Sequence, residues 1–118
     1  MFSERLLDHF RRPRNAGELP GATVKVEVSN PVCGDVLQLA AISEHGVVRE
    51  VRFLCRGCTA SIACASLLTE KIKGRLAKEL RGISAEMLAE ELGGLAPASF
   101  HAAQLAADAL QELLRAAR

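Results

Sequence analysis

The sequence predicts an α+β fold, a three-stranded antiparallel sheet with helices packed on one face. Two observations carry this. Strand-like segments follow one another without interruption early in the chain, and every later periodic segment has helical spacing. Ahead of the sheet, Ser3 can cap a short helix through Leu6, Leu7 and Phe10 that must stop near Pro13. After a loop, Val24, Val26 and Val28 alternate with Lys25 and Glu27, the period of a strand with one buried face, and Asn30-Pro31 ends it. A second strand covers Val36 to Ile42, turns through Ser43-Glu44-His45-Gly46, and returns as Val47 to Cys55, which is a hairpin signal. Thr59 to Lys73 then reads as a helix with Ile62, Ala65, Leu68 and Ile72 on one stripe and Gly74 as its stop. Leu76 to Leu80 suggests a short helical segment, and Ser84 can cap a helix closed by Gly93-Gly94. The last helix follows Pro97, with Ser99 as the expected cap and Ala103, Ala106, Leu110, Leu113 and Ala117 as its apolar stripe.

Apolar residues make up 49% of the 118-residue chain, enough for one hydrophobic core, so residues 1–118 are read as one domain. Fifteen basic and fourteen acidic side chains give a net charge of +1, which leaves no excess to grip a nucleic acid backbone or an anionic membrane. With no Trp or Tyr, the chain also lacks aromatic platforms for stacking bases. No apolar run approaches the roughly 18–20 residues of a membrane span, and Met1 to Phe10 is charged and amphipathic, unlike a signal-peptide core. The expected compartment is therefore the cytoplasm. There, four cysteines in a short chain are read as metal ligands or reactive thiols rather than as a disulfide framework.

Four residues fall at predicted joints of the fold: Cys33 and Asp35 in a strand-to-strand turn, Cys58 at a helix entrance, and His101 in the first turn of the last helix. Gly34 allows a tight turn, so a sulfur and a carboxylate can converge on one ion. A helix entrance, with unpaired amide hydrogens and the positive end of the macrodipole, favours a thiolate. Imidazole adds a third ligand type, and the mixed set suits tetrahedral zinc or ferrous iron, or the terminal positions of a two-iron cluster. Each residue has a plainer reading. Cys33 and Cys58 can be small packing residues, Asp35 a partner for turn amides, and His101 a capped or surface histidine. Cys64, six residues beyond Cys58, faces elsewhere on its helix and reads as core. Cys55-Arg56-Gly57-Cys58 also raises a thiol–disulfide exchange reading, although such motifs belong to a βαβ setting and here a hairpin precedes it.

Taken together, Leu7-Asp8-His9-Phe10, Pro13-Arg14-Asn15-Ala16-Gly17, Asn30-Pro31-Val32-Cys33-Gly34-Asp35, Gly57-Cys58 and the block from His101 through Leu105-Ala106-Ala107-Asp108-Ala109 resemble the IscU/NifU N-terminal family of iron–sulfur scaffolds. The resemblance covers nearly the whole chain. It implies a non-catalytic carrier that takes sulfur from a cysteine desulfurase, assembles a labile [2Fe–2S] cluster, and passes it to acceptor proteins. By position, Cys33 and Cys58 match two ligand cysteines, Asp35 the aspartate associated with cluster lability, and His101 the site histidine.

Two departures stand out. The family's third ligand cysteine directly follows the histidine, where this chain has Ala102. Asp35 and His101 must then complete the site, with Cys55 as the possible substitute. The family's Leu-Pro-Pro-Val-Lys chaperone segment is replaced by Leu95-Ala96-Pro97-Ala98-Ser99, which argues against delivery through an Hsp70-type chaperone. Asn30-Pro31-Val32-Cys33 also resembles the SufU branch, whose insertion before the last helices this chain lacks. The alternative expectation is accordingly a zinc-containing protein of SufU type that accepts persulfide from a desulfurase.

Overall fold

The structure is a computed structural model that describes residues 2–31 and 34–117. Helix α1 (Glu4–Arg11) starts at Ser3, whose hydroxyl accepts from the Leu6 amide, and ends ahead of Pro13. Strands β1 (Val24–Ser29), β2 (Val36–Glu44) and β3 (Val47–Arg56) form one antiparallel sheet in the order β1-β2-β3. His45 and Gly46 make the tight β2–β3 turn, both with positive φ (52° and 79°), as a two-residue hairpin connection requires.

The register explains which side is core. Val24, Ala41 and Val51 form one row across the sheet, Val26, Leu39 and Phe53 a second, and Val28, Leu37 and Cys55 a third. These rows face the helices, while Lys25, Glu27, Arg52, Leu54 and Arg56 are exposed. Helix α2 (Thr59–Ile72) packs on β3, and α4 (Phe100–Ala116) lies beside it over β1 and β2. Helix α1 packs against α2, and α3 (Ala85–Glu91) against α4. Ser84 caps α3 by accepting from the Met87 amide. Asn15 and Gly17 bond to Phe53 and Arg75 bonds to Val48, so two loop segments cover the outer edge of β3.

Two expectations are corrected here. Helix α2 does not bury a single stripe: Ala60, Ser61, Ala63, Cys64, Ala65, Ser66, Leu67, Leu68, Thr69 and Ile72 are all buried, whereas Ile62 is only half-buried. Sheet, α1 and α4 surround this helix, so it is the central element and has almost no polar face to alternate. Ser99 makes no side-chain cap bond, because a 3₁₀ turn over Pro97–Ser99 runs directly into α4 and leaves Ser99 already in helical conformation.

Candidate metal centre

Pairing of Val36 with Arg56 brings the start of β2 and the end of β3 side by side, so the residues just outside both strands share one end of the sheet. Asp35 precedes β2 in a turn closed by bonds from the Asn30 amide to the Asp35 carbonyl and from the Gly34 amide to the Asn30 carbonyl. Gly34 has φ of 77°, a conformation open to glycine and costly for most other residues. Cys58 is the N-cap residue of α2 with extended backbone, and its side chain makes no capping bond to the helix amides. His101 is the second residue of α4, whose entrance lies at the same end.

One ligand atom each from Asp35, Cys58 and His101 lies within 4.8 Å of the others. Donors on a tetrahedral zinc-like ion, with bonds of about 2.0–2.3 Å, stand about 3.3–3.8 Å apart, so the three need to close by only about 1 Å. Asp35 is 7% exposed. Its Oδ2 accepts from the Ser61 hydroxyl at 2.5 Å and lies 3.7 Å from His101 Nε2. The Ser61 oxygen is also 3.3 Å from Cys58 Sγ. Gly57 closes the floor: a Cβ there would meet Asp35 Cγ at 2.9 Å and Ser61 Cβ at 3.0 Å. Cys58 is exposed and His101 half-buried, so the trio has a buried carboxylate at its base and an accessible thiol at its mouth. Sulfur, nitrogen and oxygen donors in this arrangement suit a borderline cation such as ferrous iron or zinc.

Three of the four sequence-predicted site residues thus converge; Cys33 lies outside the described residues. The remaining cysteines behave differently. Cys55 is half-buried against the core, and burial, with the Asp35 charge adding to it, pushes its thiol up to about 11. It does not join the Asp35, Cys58 and His101 group. Cys64 is fully buried, its thiol pushed up to about 12 by burial, as its expected core role requires. Ala102 is also in the core.

Residues 1–116 match the NifU-like N terminal domain family. The chain belongs to this family. Among relatives of this NifU-like domain, the iron–sulfur cluster assembly scaffold protein IscU 1 of Archaeoglobus fulgidus is 38% identical over 97% of this chain and 74% of its own. The scaffold IscU of Azotobacter vinelandii is 37% identical over 97% of this chain and 91% of its own. The fold matches a NifU-like N-terminal protein from Brucella abortus at TM-score 0.79 and 21% identity, covering 98% of this chain and 92% of that one. It matches FiSufU from Fervidobacterium islandicum at TM-score 0.80 and 22% identity, covering 96% of each.

Sequence reasoning did not find two polar features of this NifU-like domain. Ser61 falls in the expected Thr59 to Lys73 helix and in Ala60-Ser61-Ile62-Ala63, which also resembles the family, but neither reading reveals its partners, which lie outside its own apolar pattern. The second is a buried knot between α1 and α2. His9 Nδ1 is 2.8 Å from Ser66 Oγ, which also accepts from the Arg14 amide at 2.9 Å. The imidazole tautomer sets the direction of the His9–Ser66 bond, and His9 Nε2 faces Glu70 at 3.6 Å. Burial and the nearby Arg14 charge lower His9 below its ordinary value. Hydroxyls at Ser61, Ser66 and Thr69 in an otherwise apolar helix were the available signal.

Proposed function

We propose that this chain is a non-enzymatic iron–sulfur cluster assembly scaffold, which holds iron and sulfide transiently and hands the cluster to acceptor proteins. The observation that carries this is the convergence of Asp35, Cys58 and His101 at one end of the sheet, in a family whose relatives bear scaffold names. Cys33, Asp35, Cys58 and His101 are the proposed ligands, and a [2Fe–2S] unit, with four terminal positions, is the cargo their number matches. The supplier of sulfur is a cysteine desulfurase, and the exposed Cys58 thiol is the group within reach of an incoming persulfide. The protein's own contribution is ligation: a buried carboxylate that stays oriented, a thiol open to the partner, and an imidazole beside both.

The test is anaerobic reconstitution with ferrous iron and sulfide, followed by metal and sulfide analysis and Mössbauer spectroscopy. A two-iron, two-sulfide product that Cys58→Ala and Cys33→Ala each abolish supports the reading. Full stoichiometry in both variants overturns the ligand set. The same donors accept zinc. A protein that keeps stoichiometric zinc and takes up no iron with sulfide favours the persulfide-accepting role instead.

A further inference from the structure

Helix α2 is buried on nearly every side, and a serine hydroxyl inside such a helix commonly turns back to bond a backbone carbonyl one turn earlier. Ser61 has different partners. Its hydroxyl donates to Asp35 Oδ2 at 2.5 Å and lies 3.3 Å from Cys58 Sγ, while the residue itself is 2% exposed. Asp35 and Cys58 come from different ends of the hairpin, one before β2 and one after β3. Ser61 is the described side chain bonded to both of them.

We propose that Ser61 is the positioning residue of the metal centre, locking the Asp35 carboxylate and the Cys58 sulfur into one donor face before any metal arrives. This rests on reading Asp35 and Cys58 as ligands. A hydroxyl has one proton and two lone pairs, so it can donate to the carboxylate while accepting from the Cys58 thiol in the empty site. When Cys58 binds a metal as thiolate, the hydroxyl keeps its bond to Asp35, and the carboxylate remains aimed by α2 rather than by its own loop. Gly57 completes the arrangement, because only the absence of a Cβ lets the carboxylate settle against Ser61. Asp35, Cys58 and His101 are the donors that converge among the described residues, so the orientation of the one carboxylate sets a large share of the site's geometry.

Cobalt(II) is the probe, since its d–d envelope reports coordination geometry and its thiolate charge-transfer band reports the bound cysteine sulfurs. Titrated anaerobically into the apoprotein, Ser61→Ala is expected to raise the cobalt dissociation constant by about 10–100-fold and to alter the d–d envelope. Ser61→Thr, which keeps the hydroxyl, is expected to recover most of both. Ser66→Ala is the structural control: it removes a hydroxyl from the same helix on the α1 side and should lower stability without moving cobalt affinity. Circular dichroism checks folding in each case. If Ser61→Thr fails to fold, the comparison of Ser61→Ala with Ser66→Ala carries the test. Unchanged affinity and spectrum in Ser61→Ala, with Cys58→Ala weakening the charge-transfer band, overturns the role of Ser61 and leaves the centre standing. A band of undiminished intensity in Cys58→Ala overturns the centre itself.

Discussion

Gly57→Ala tests the floor of the centre with a single methyl group. The backbone of Gly57 is not left-handed, so alanine meets no conformational penalty there. What it meets is Asp35 Cγ at 2.9 Å, Ser61 Cβ at 3.0 Å and Asp35 Oδ2 at 3.1 Å. Ordinary contacts of this kind are about 3.4–4 Å, so the carboxylate must retreat by about half an ångström. Forcing one extra carbon into such a contact costs about 1–3 kcal/mol. Glycine-to-alanine replacement by itself returns about 0.4–1 kcal/mol through the unfolded chain. The expected net loss is therefore about 0–2.5 kcal/mol by urea unfolding of the apoprotein. Functional geometry tolerates roughly half an ångström of error, so cobalt affinity should also fall by about tenfold or more. Gly82→Ala is the matched control, because a Cβ there touches nothing within 4 Å and its φ is not positive. It should show the small gain alone. A Gly57→Ala protein that behaves like Gly82→Ala, stabilised and with unchanged cobalt affinity, refutes the packing of Asp35 against Gly57 and Ser61.

Three further expectations concern other residues. Cys64→Ser should lower stability by about 1 kcal/mol, because it buries a hydroxyl where a thiol packed, and should leave metal content unchanged; metal loss from a folded variant would contradict the core role. His9 has a folded value below its ordinary 6.5, so the unfolded chain binds the proton first as pH falls. Stability should then be complete above pH 6.5 and decline below it, and His9→Gln should flatten that slope in urea melts; an equal slope would place its origin elsewhere. Ala102→Cys should slow cluster loss to a chelator, whereas Asp35→Ala with Ala102 retained should prevent stable loading. A more persistent cluster in Asp35→Ala would mean that another group, Cys55 first, already fills the fourth position.

The fold was legible wherever neighbours in sequence decide local structure. Alternation in Val24 to Val28, a turn within Ser43 to Gly46 and the Ser3 and Ser84 caps each depend on a few adjacent residues, and each is present, the turn narrowed to His45-Gly46 because β2 runs on to Glu44. Ser61 was hidden because its bond to Asp35 spans 26 residues and the His9–Ser66 bond spans 57, distances over which periodicity carries nothing. Surroundings also misled locally. The apolar pattern of α2 suggested a single stripe because spacing cannot reveal that a helix is enclosed from several sides, and Ser99 resembled a cap because spacing cannot reveal a 3₁₀ lead-in. Asp35, Cys58 and His101 were identifiable as a group through their placement at predicted joints of the fold and through the family resemblance, since their separations of 23 and 43 residues follow no local rule.

A scaffold must bind its cargo firmly enough to assemble it and weakly enough to lose it, and the proposed centre divides these demands among its donors. Thiolate sulfur is the soft ligand that iron–sulfur units favour, and Cys58 offers it at the exposed mouth where a partner can approach. Carboxylate oxygen is the harder and weaker partner, and Asp35 offers it from the buried floor. Once iron leaves, that carboxylate is not stranded without partners, because Ser61 still donates to it and His101 Nε2 remains 3.7 Å away. An unpaired buried carboxylate would cost several kcal/mol and would drive the protein to keep its cargo. The hydroxyl bonds Asp35 with and without metal, so it spares the empty site part of that cost while holding the carboxylate in the geometry that loading needs. Ligation and release then depend on the same short contact at the entrance of α2, and a substitution that disturbs it should change both.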